Sequence, residues 1–257
     1  MILTSAVAVG LPAPVGCLEV PDVEAAVTAV ESVPGDALLV VGADAAARPS
    51  LMAREVIARP DVALVTLDGP RTRRTLLLRA LTHLPPESYG MAAYVVRAVN
   101  RQCGTRKALS SVGSLVRPKP TLSQHLRSFF PKASFDVDLA TDTVTFRENI
   151  QWDLGDSRDV VWAASNEMKH MAVGLGVRVP PVVLPNESGK LDGARHWAEV
   201  SWHPDVARAV RTAVGTVLRR TCRSCGRATA PTGCPFCGTS LSPRISAPAP
   251  RIERNAS

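Results

Sequence analysis

Three observations predict an α/β fold carrying added local modules. Over residues 1–69, short apolar runs rich in β-branched residues alternate with stretches of helical period. Over residues 70–133, apolar positions at helical spacing sit in a strongly basic background. Over residues 219–240, four cysteines fall into two Cys-x-x-Cys pairs. The expected layout is a small, mostly parallel α/β unit at 1–69, a basic helical region ending in a β-hairpin at 70–147, an α+β region at 148–218, a cysteine ribbon at 219–240 and a disordered tail at 241–257.

Composition sets the outer bounds. The chain has 257 residues, 46% of them hydrophobic and 21% charged, as in an ordinary globular protein of one large or two small domains. No uncharged apolar run is long enough to span a bilayer, and no Lys or Arg precedes the apolar start. A cytoplasmic protein without a membrane partner is the expectation. Aromatic residues are only 4%, which argues against a stacking platform for single-stranded nucleic acid.

In the first unit, Ile2 to Val9, Ala37 to Gly42 and Asp61 to Leu67 read as buried strands bounded by Pro, Gly or Asp. Pro21 to Val33 reads as a helix with Val23, Ala26, Val27 and Val30 on one face, and Pro49 to Ala58 as another, with Leu51, Met52, Val56 and Ile57 inward. Strand–helix alternation implies a parallel sheet. The pattern resembles a receiver-like or flavodoxin-like half domain. It lacks a phosphoacceptor cluster, since Asp44 and Asp68 form no evident pair, and no glycine-rich phosphate loop is present.

The net charge of +7 is unevenly spread. Residues 70–133 hold twelve Lys and Arg and a single acid, Glu87. Such an excess is the footprint of a polyanion-binding element, or of a patch that neutralises acidic parts of the same chain. Helices are predicted over Arg73 to His83 and Met91 to Cys103, the latter with Ala92, Val95, Val96 and Val99 inward. The stretch from Thr105 to Phe130 resembles the helix-turn-helix of AraC-type bacterial transcription regulators. The resemblance implies a first helix over Arg106 to Val112, with Ala108 and Val112 inward, a turn at Gly113 plugged by Val116, and a recognition helix over Thr121 to Phe130. Leu122, Leu126 and Phe129 would then face the core. Arg117, Lys119, Thr121, Ser123, Gln124, His125 and Arg127 would be left for double-stranded DNA, Gln124 reading adenine and Arg127 guanine or phosphate. The turn is one residue longer than in that family and holds Pro118 and Pro120. Phe135, Val137, Leu139, Val144 and Phe146 alternate with polar residues around Ala140-Thr-Asp142, a hairpin signal for either a wing or a packing element.

Further on, Val160 to Gly174 reads as a helix carrying Glu167 and His170, two metal-ligand types on one face. His196 and His203 flank Trp197 and Trp202 in a strand-like alternation, and Pro204 to Arg220 is an amphipathic helix.

The cysteines carry the most specific signal. Cys222-Arg-Ser-Cys225-Gly and Cys234-Pro-Phe-Cys237-Gly can wrap four thiolates around one Zn²⁺, and Gly226 and Gly238 permit the sharp turn that aims backbone N–H groups at sulfur. Arg219, Arg220, Arg223 and Arg227 would offset thiolate charge. The segment resembles the short C-terminal zinc ribbons of many bacterial proteins. With four protein ligands the metal is structural. Because the ribbon lies at the chain end, the rest of the fold is expected to survive loss of the zinc. Cys17 and Cys103 read as buried small residues.

The function these readings favour is a DNA-binding protein, a transcription regulator or a replication or partition accessory, with a structural Zn²⁺. Two alternatives stay open: a metal-dependent enzyme with its site in 150–205, and a scaffold whose ribbon binds a protein partner. A homodimer is compatible with each.

Overall fold

The run Ala-Leu-Leu-Val-Val-Gly contains nothing that gains from contact with water, and in the computed structural model of the chain all six residues, Ala37–Gly42, are buried. The structure describes residues 1–5, 11, 13–20, 22–32, 34–42, 59–130, 133–165, 171–176, 182–184 and 190–239. The helix expected over 49–58, together with Pro21, Asp44, Glu167, His170 and the tail from 241, lies outside them. Ala37–Gly42 is strand β3 of a sheet ordered β2 (Cys17–Glu19), β1 (Ile2–Ser5), β3, β4 (Val62–Leu67). Its three pairings are all parallel. The mixed α/β class with a parallel sheet is therefore as the sequence predicts.

The alternation of side chains along β3 sorts them into two cores. Leu39 and Val41 face helix α1 (Val23–Ser32), packing with Leu3, Ala26 and Val30. Leu38 and Val40 face the other way, into the main core, beside Val65 and Leu67. That core is filled by α2 (Arg71–Thr82) and α3 (Ala92–Asn100), joined by a 3₁₀ turn at Pro86–Met91. The inward residues of α3 are Ala92, Val95, Val96 and Val99, as its period requires.

A second sheet closes the core from the far side. Its order is β11 (Val182–Leu184), β9 (Asp159–Ser165), β12 (Trp197–His203), β5 (Gly104–Leu109), β6 (Phe135–Asp138) and β7 (Thr143–Phe146). Helix α2 touches β4 of the first sheet and β9 and β12 of the second. The amphipathic helix expected after Pro204 is α5 (Val206–Thr216), capped by Asp205 and packed on α3. On its outer face the second sheet packs Ala108, Val160 and Val200 against Ile150 and Trp152 of β8 (Asn149–Trp152), which pairs with β10 (Ala172–Leu175).

This sheet overturns two expectations. Residues 106–109, expected in the first helix of a helix-turn-helix, are strand β5, held antiparallel between β12 and β6. Thr-Arg-Lys-Ala-Leu suits a helix locally, but six rungs to β12 outweigh a propensity difference of a few tenths of a kcal/mol per residue. Where a helix was expected over Val160 to Gly174, residues 160–165 are likewise strand, and 172–174 are strand again in β10 of the separate two-stranded sheet. Val160, Val161 and Trp162 are residues that prefer a pleated surface. The hairpin of β6 and β7 forms as predicted, turning at Asp142 with φ +54°. It packs in the sheet rather than standing out as a wing, and it joins β5 to form one edge of a sheet that runs across residue 147.

Candidate metal centre

The last described segment folds around its four cysteines. A β-ribbon of β13 (Arg220–Thr221) and β14 (Ala228–Thr229) brackets the first pair. Gly226 and Gly238 both adopt φ +73°, and each donates its N–H to the carbonyl of the cysteine opening its own knuckle, at 2.9 Å. The two knuckles are thus the same turn used twice. Within them the backbone N–H of Arg227 reaches Cys225 Sγ, those of Phe236 and Cys237 reach Cys234 Sγ, and that of Thr239 reaches Cys237 Sγ. This is the sulfur-directed backbone that the glycine positions predict.

The sulfurs pair across the knuckles. Cys222 Sγ lies 3.6 Å from Cys237 Sγ, and Cys225 Sγ lies 3.5 Å from Cys234 Sγ. All four lie within 4.8 Å of one another. A disulfide would require about 2.05 Å. A tetrahedron of Zn–S bonds of about 2.3 Å places sulfurs about 3.8 Å apart, which these spacings match. Burial pushes the Cys234 thiol up to about 12, while at Cys237 burial is outweighed by hydrogen bonding at Thr239, bringing it down to about 6. Four sulfur donors at this spacing fit a soft divalent cation, which would offset the repulsion among four thiolates.

The ribbon is built into the main core. Cys222, Ala230, Cys234 and Phe236 are buried in the same apolar cluster as Leu38, Leu77 and Val95. Thr229 Oγ1 and Ala230 N both donate to the carbonyl of Gly90 in the 3₁₀ turn, at 3.0 and 3.3 Å. Leu64 of β4 donates its N–H to Pro235. Arg227 lies over the Phe236 ring at 4.4 Å and pairs with Asp36, just ahead of β3. These contacts argue against the expectation that the rest of the fold survives loss of the zinc. Sequence spacing revealed the ligands but carries no signal for contacts so distant along the chain.

The residues assigned to DNA are placed otherwise. Thr121 caps helix α4 (Leu122–Arg127), in which Gln124 closes a capping box by accepting from Thr121 N at 2.8 Å. Gln124 Nε2 donates to Val144 O at 2.7 Å, so both ends of its amide are engaged within the chain. Ser123 Oγ is 3.0 Å from Thr121 Oγ1, and Arg127 lies over Phe146 at 4.8 Å. Arg117 and Lys119 are exposed and His125 is half-buried. Leu122, Leu126 and Phe129, expected in the core, face solvent. Part of the basic excess is neutralised internally, Arg106 by Asp138 and Lys107 by Asp192.

No family model matches the chain, and no curated protein matches it. Solved structures that resemble it include the following two. One is the Streptococcus pneumoniae Fatty Acid Kinase (Fak) B3 protein loaded with linoleic acid, 12% identical over 79% of this chain and 99% of that one, with a TM-score of 0.48. The other is a DegV family protein from Eubacterium eligens loaded with heptadecanoic acid, 9% identical over 79% and 99%, with a TM-score of 0.49.

The first helix of the helix-turn-helix does not form, because residues 106–109 belong to strand β5 and are paired on both sides. The assignments of DNA binding, transcription regulation and a DNA partner are therefore withdrawn. The enzyme alternative gains no assembled site among the described residues. His196 lies just ahead of β12 and His203 at its far end, seven residues on, roughly 23 Å apart at about 3.3 Å per residue. The four cysteines are the one group of three or more ligand-type side chains found together among the described residues.

Proposed function

We propose that this chain is a zinc-binding α/β protein whose single Zn²⁺, held by Cys222, Cys225, Cys234 and Cys237, fastens the C-terminal ribbon onto the edge of the parallel sheet. The observation that carries this reading is the four-sulfur cluster, with cross-knuckle spacings of 3.6 and 3.5 Å. A centre with four protein thiolates leaves no position for a water molecule, so the metal's role is structural. Its place in the main core makes it a clasp between regions that are remote in sequence. The test is elemental analysis of the full chain purified under reducing conditions. One zinc per chain is expected in the wild type, and loss of zinc in Cys222→Ser and Cys234→Ser. Metal-free protein, or zinc retained by both variants, would refute it.

A further inference from the structure

Helix α4 is amphipathic the wrong way round. Leu122 and Leu126, four residues apart, share one face of α4, and Phe129 and Phe130 follow in the turn just past its end at Arg127. The opposite face holds Gln124 and Ser128, and this polar face is the one turned inward. Gln124 binds Val144 O of β7, and Ser128 Oγ accepts from Val112 N at 3.0 Å. The apolar face is left to solvent, with Leu122 77%, Phe129 85% and Phe130 67% exposed, and Val116 of the preceding loop exposed as well. Among the described residues these make up half of the large apolar side chains most open to water. A cluster of this kind marks a contact surface.

Its surroundings identify the contact. Arg117, Lys119 and Arg127 are exposed within the same stretch of sequence, and from Ser88 to Phe135 there is no Asp or Glu. Apolar side chains ringed by cations are the composition of an interfacial element that seats Phe and Leu among acyl chains and Lys and Arg at lipid phosphates. A second copy of the chain is disfavoured. A two-fold contact would bring two copies of the same cation-bearing surface together, with no acid in the sequence from Ser88 to Phe135 to offset them. Duplex nucleic acid is disfavoured too, since its phosphate surface offers no partner to Phe129 and Phe130 and its bases are already stacked. We infer that the face formed by Val116, Leu122, Leu126, Phe129 and Phe130 docks onto the surface of an anionic lipid bilayer, without crossing it.

Co-sedimentation of the full chain with vesicles tests this. Vesicles of phosphatidylcholine alone are compared with vesicles of phosphatidylcholine and phosphatidylglycerol in equal parts. The wild type is expected to pellet with the anionic vesicles, less so as salt rises, and weakly with the neutral ones. F129S/F130S should weaken binding by about tenfold or more, and R117E/K119E should abolish the preference for anionic lipid. All four positions are exposed, so the variants should keep the wild-type circular dichroism spectrum. Wild-type protein that stays in the supernatant with both vesicles would overturn the inference. So would unchanged binding by F129S/F130S. A wild-type dimer that this variant converts to monomer, with no vesicle binding, would assign the face to a second copy instead.

Discussion

The backbone N–H of Leu64 donates a 2.9 Å hydrogen bond to the carbonyl of Pro235, in the second cysteine knuckle. Leu64 lies in the middle of β4, the outer strand of the parallel sheet. An outer strand presents unpaired N–H and C=O groups that invite pairing with another chain. Here the ribbon satisfies one of them and buries Cys234 and Phe236 against the same core. Order in the metal centre and order at the sheet edge are thereby coupled.

Removing the metal should consequently loosen more than the ribbon. In Cys234→Ser, or after chelation under reducing conditions, the Leu64 amide should exchange with solvent faster by at least about an order of magnitude. The thermal midpoint should fall by well over about 5 °C, because structural zinc contributes directly to folding free energy. Hydrogen exchange with and without added zinc checks both. If only residues 219–239 lose protection while Leu64 keeps it, the coupling is disproved.

Gly90 is where the ribbon approaches the helical layer most closely. A Cβ built there would lie 1.9 Å from the carbonyl oxygen of Ala228, a backbone atom with nowhere to go. Gly90→Ala should therefore push β14 away and break the bonds from Thr229 and Ala230 to the Gly90 carbonyl. Overpacking of this kind costs about 1–3 kcal/mol. Chemical denaturation should show that loss, together with weaker zinc retention in a chelator competition. Wild-type stability and zinc affinity would mean that the ribbon does not sit where the structure places it.

The local parts of this architecture were legible in the sequence, and the distant ones were not. Ala37–Gly42 and the inward face of α3 follow from period and composition alone, as does the cysteine ribbon from its spacing. Arg106 to Leu109 was read as helix because its strand character comes from its neighbours. At the start of the same strand a Cβ on Gly104 would lie 2.2 Å from the Trp202 ring, so the glycine serves strand packing. The spacing of Leu122, Leu126 and Phe129 is a true helical stripe, but period alone does not say whether a stripe faces core or solvent. Here two polar residues, Gln124 and Ser128, hold the inner side. The contacts of the ribbon with β4 and the 3₁₀ turn have no sequence signature at all.

A buried carboxylate provides the third prediction. Glu199 of β12 is fully buried, and its Oε1 accepts from both the N–H and the hydroxyl of Thr72, at 2.9 and 2.8 Å. Pro70 gives α2 no side-chain cap, so Glu199 satisfies a first-turn donor from across the core and meets the positive end of the helix dipole. Lys107 Nζ lies 4.0 Å from its other oxygen and 2.7 Å from Asp192. Glu199→Ala would strand the Thr72 N–H and leave the buried Lys107 with one partner, a loss of about 3 kcal/mol or more. Glu199→Gln keeps an acceptor for Thr72 and should cost less. Equal losses in urea denaturation would show that the charge, rather than the cap, is what matters.

The last prediction concerns His203, which is buried at the end of β12. Its Nδ1 accepts from the backbone N–H of Asp205 at 3.0 Å, so the neutral ring carries its proton on Nε2, which has no hydrogen-bond partner among the described residues. Burial lowers its pKa below the ordinary 6.5, against the opposing pull of the Asp159 and Asp205 carboxylates. The unfolded chain therefore takes up a proton at a higher pH than the folded one. The stability gained from neutral His203 is complete above about pH 6.5 and declines as pH falls from there toward the folded pKa, with a slope of at most about 1.4 kcal/mol per pH unit. Thiolate protonation at the metal centre also acts in acid, so the measurement is a difference. Unfolding free energies of zinc-loaded wild type and His203→Gln are compared from pH 7.5 to 5. Glutamine does not titrate, so the variant should lose less stability on acidification than the wild type over this range. Parallel curves for the two proteins would remove His203 from the pH response.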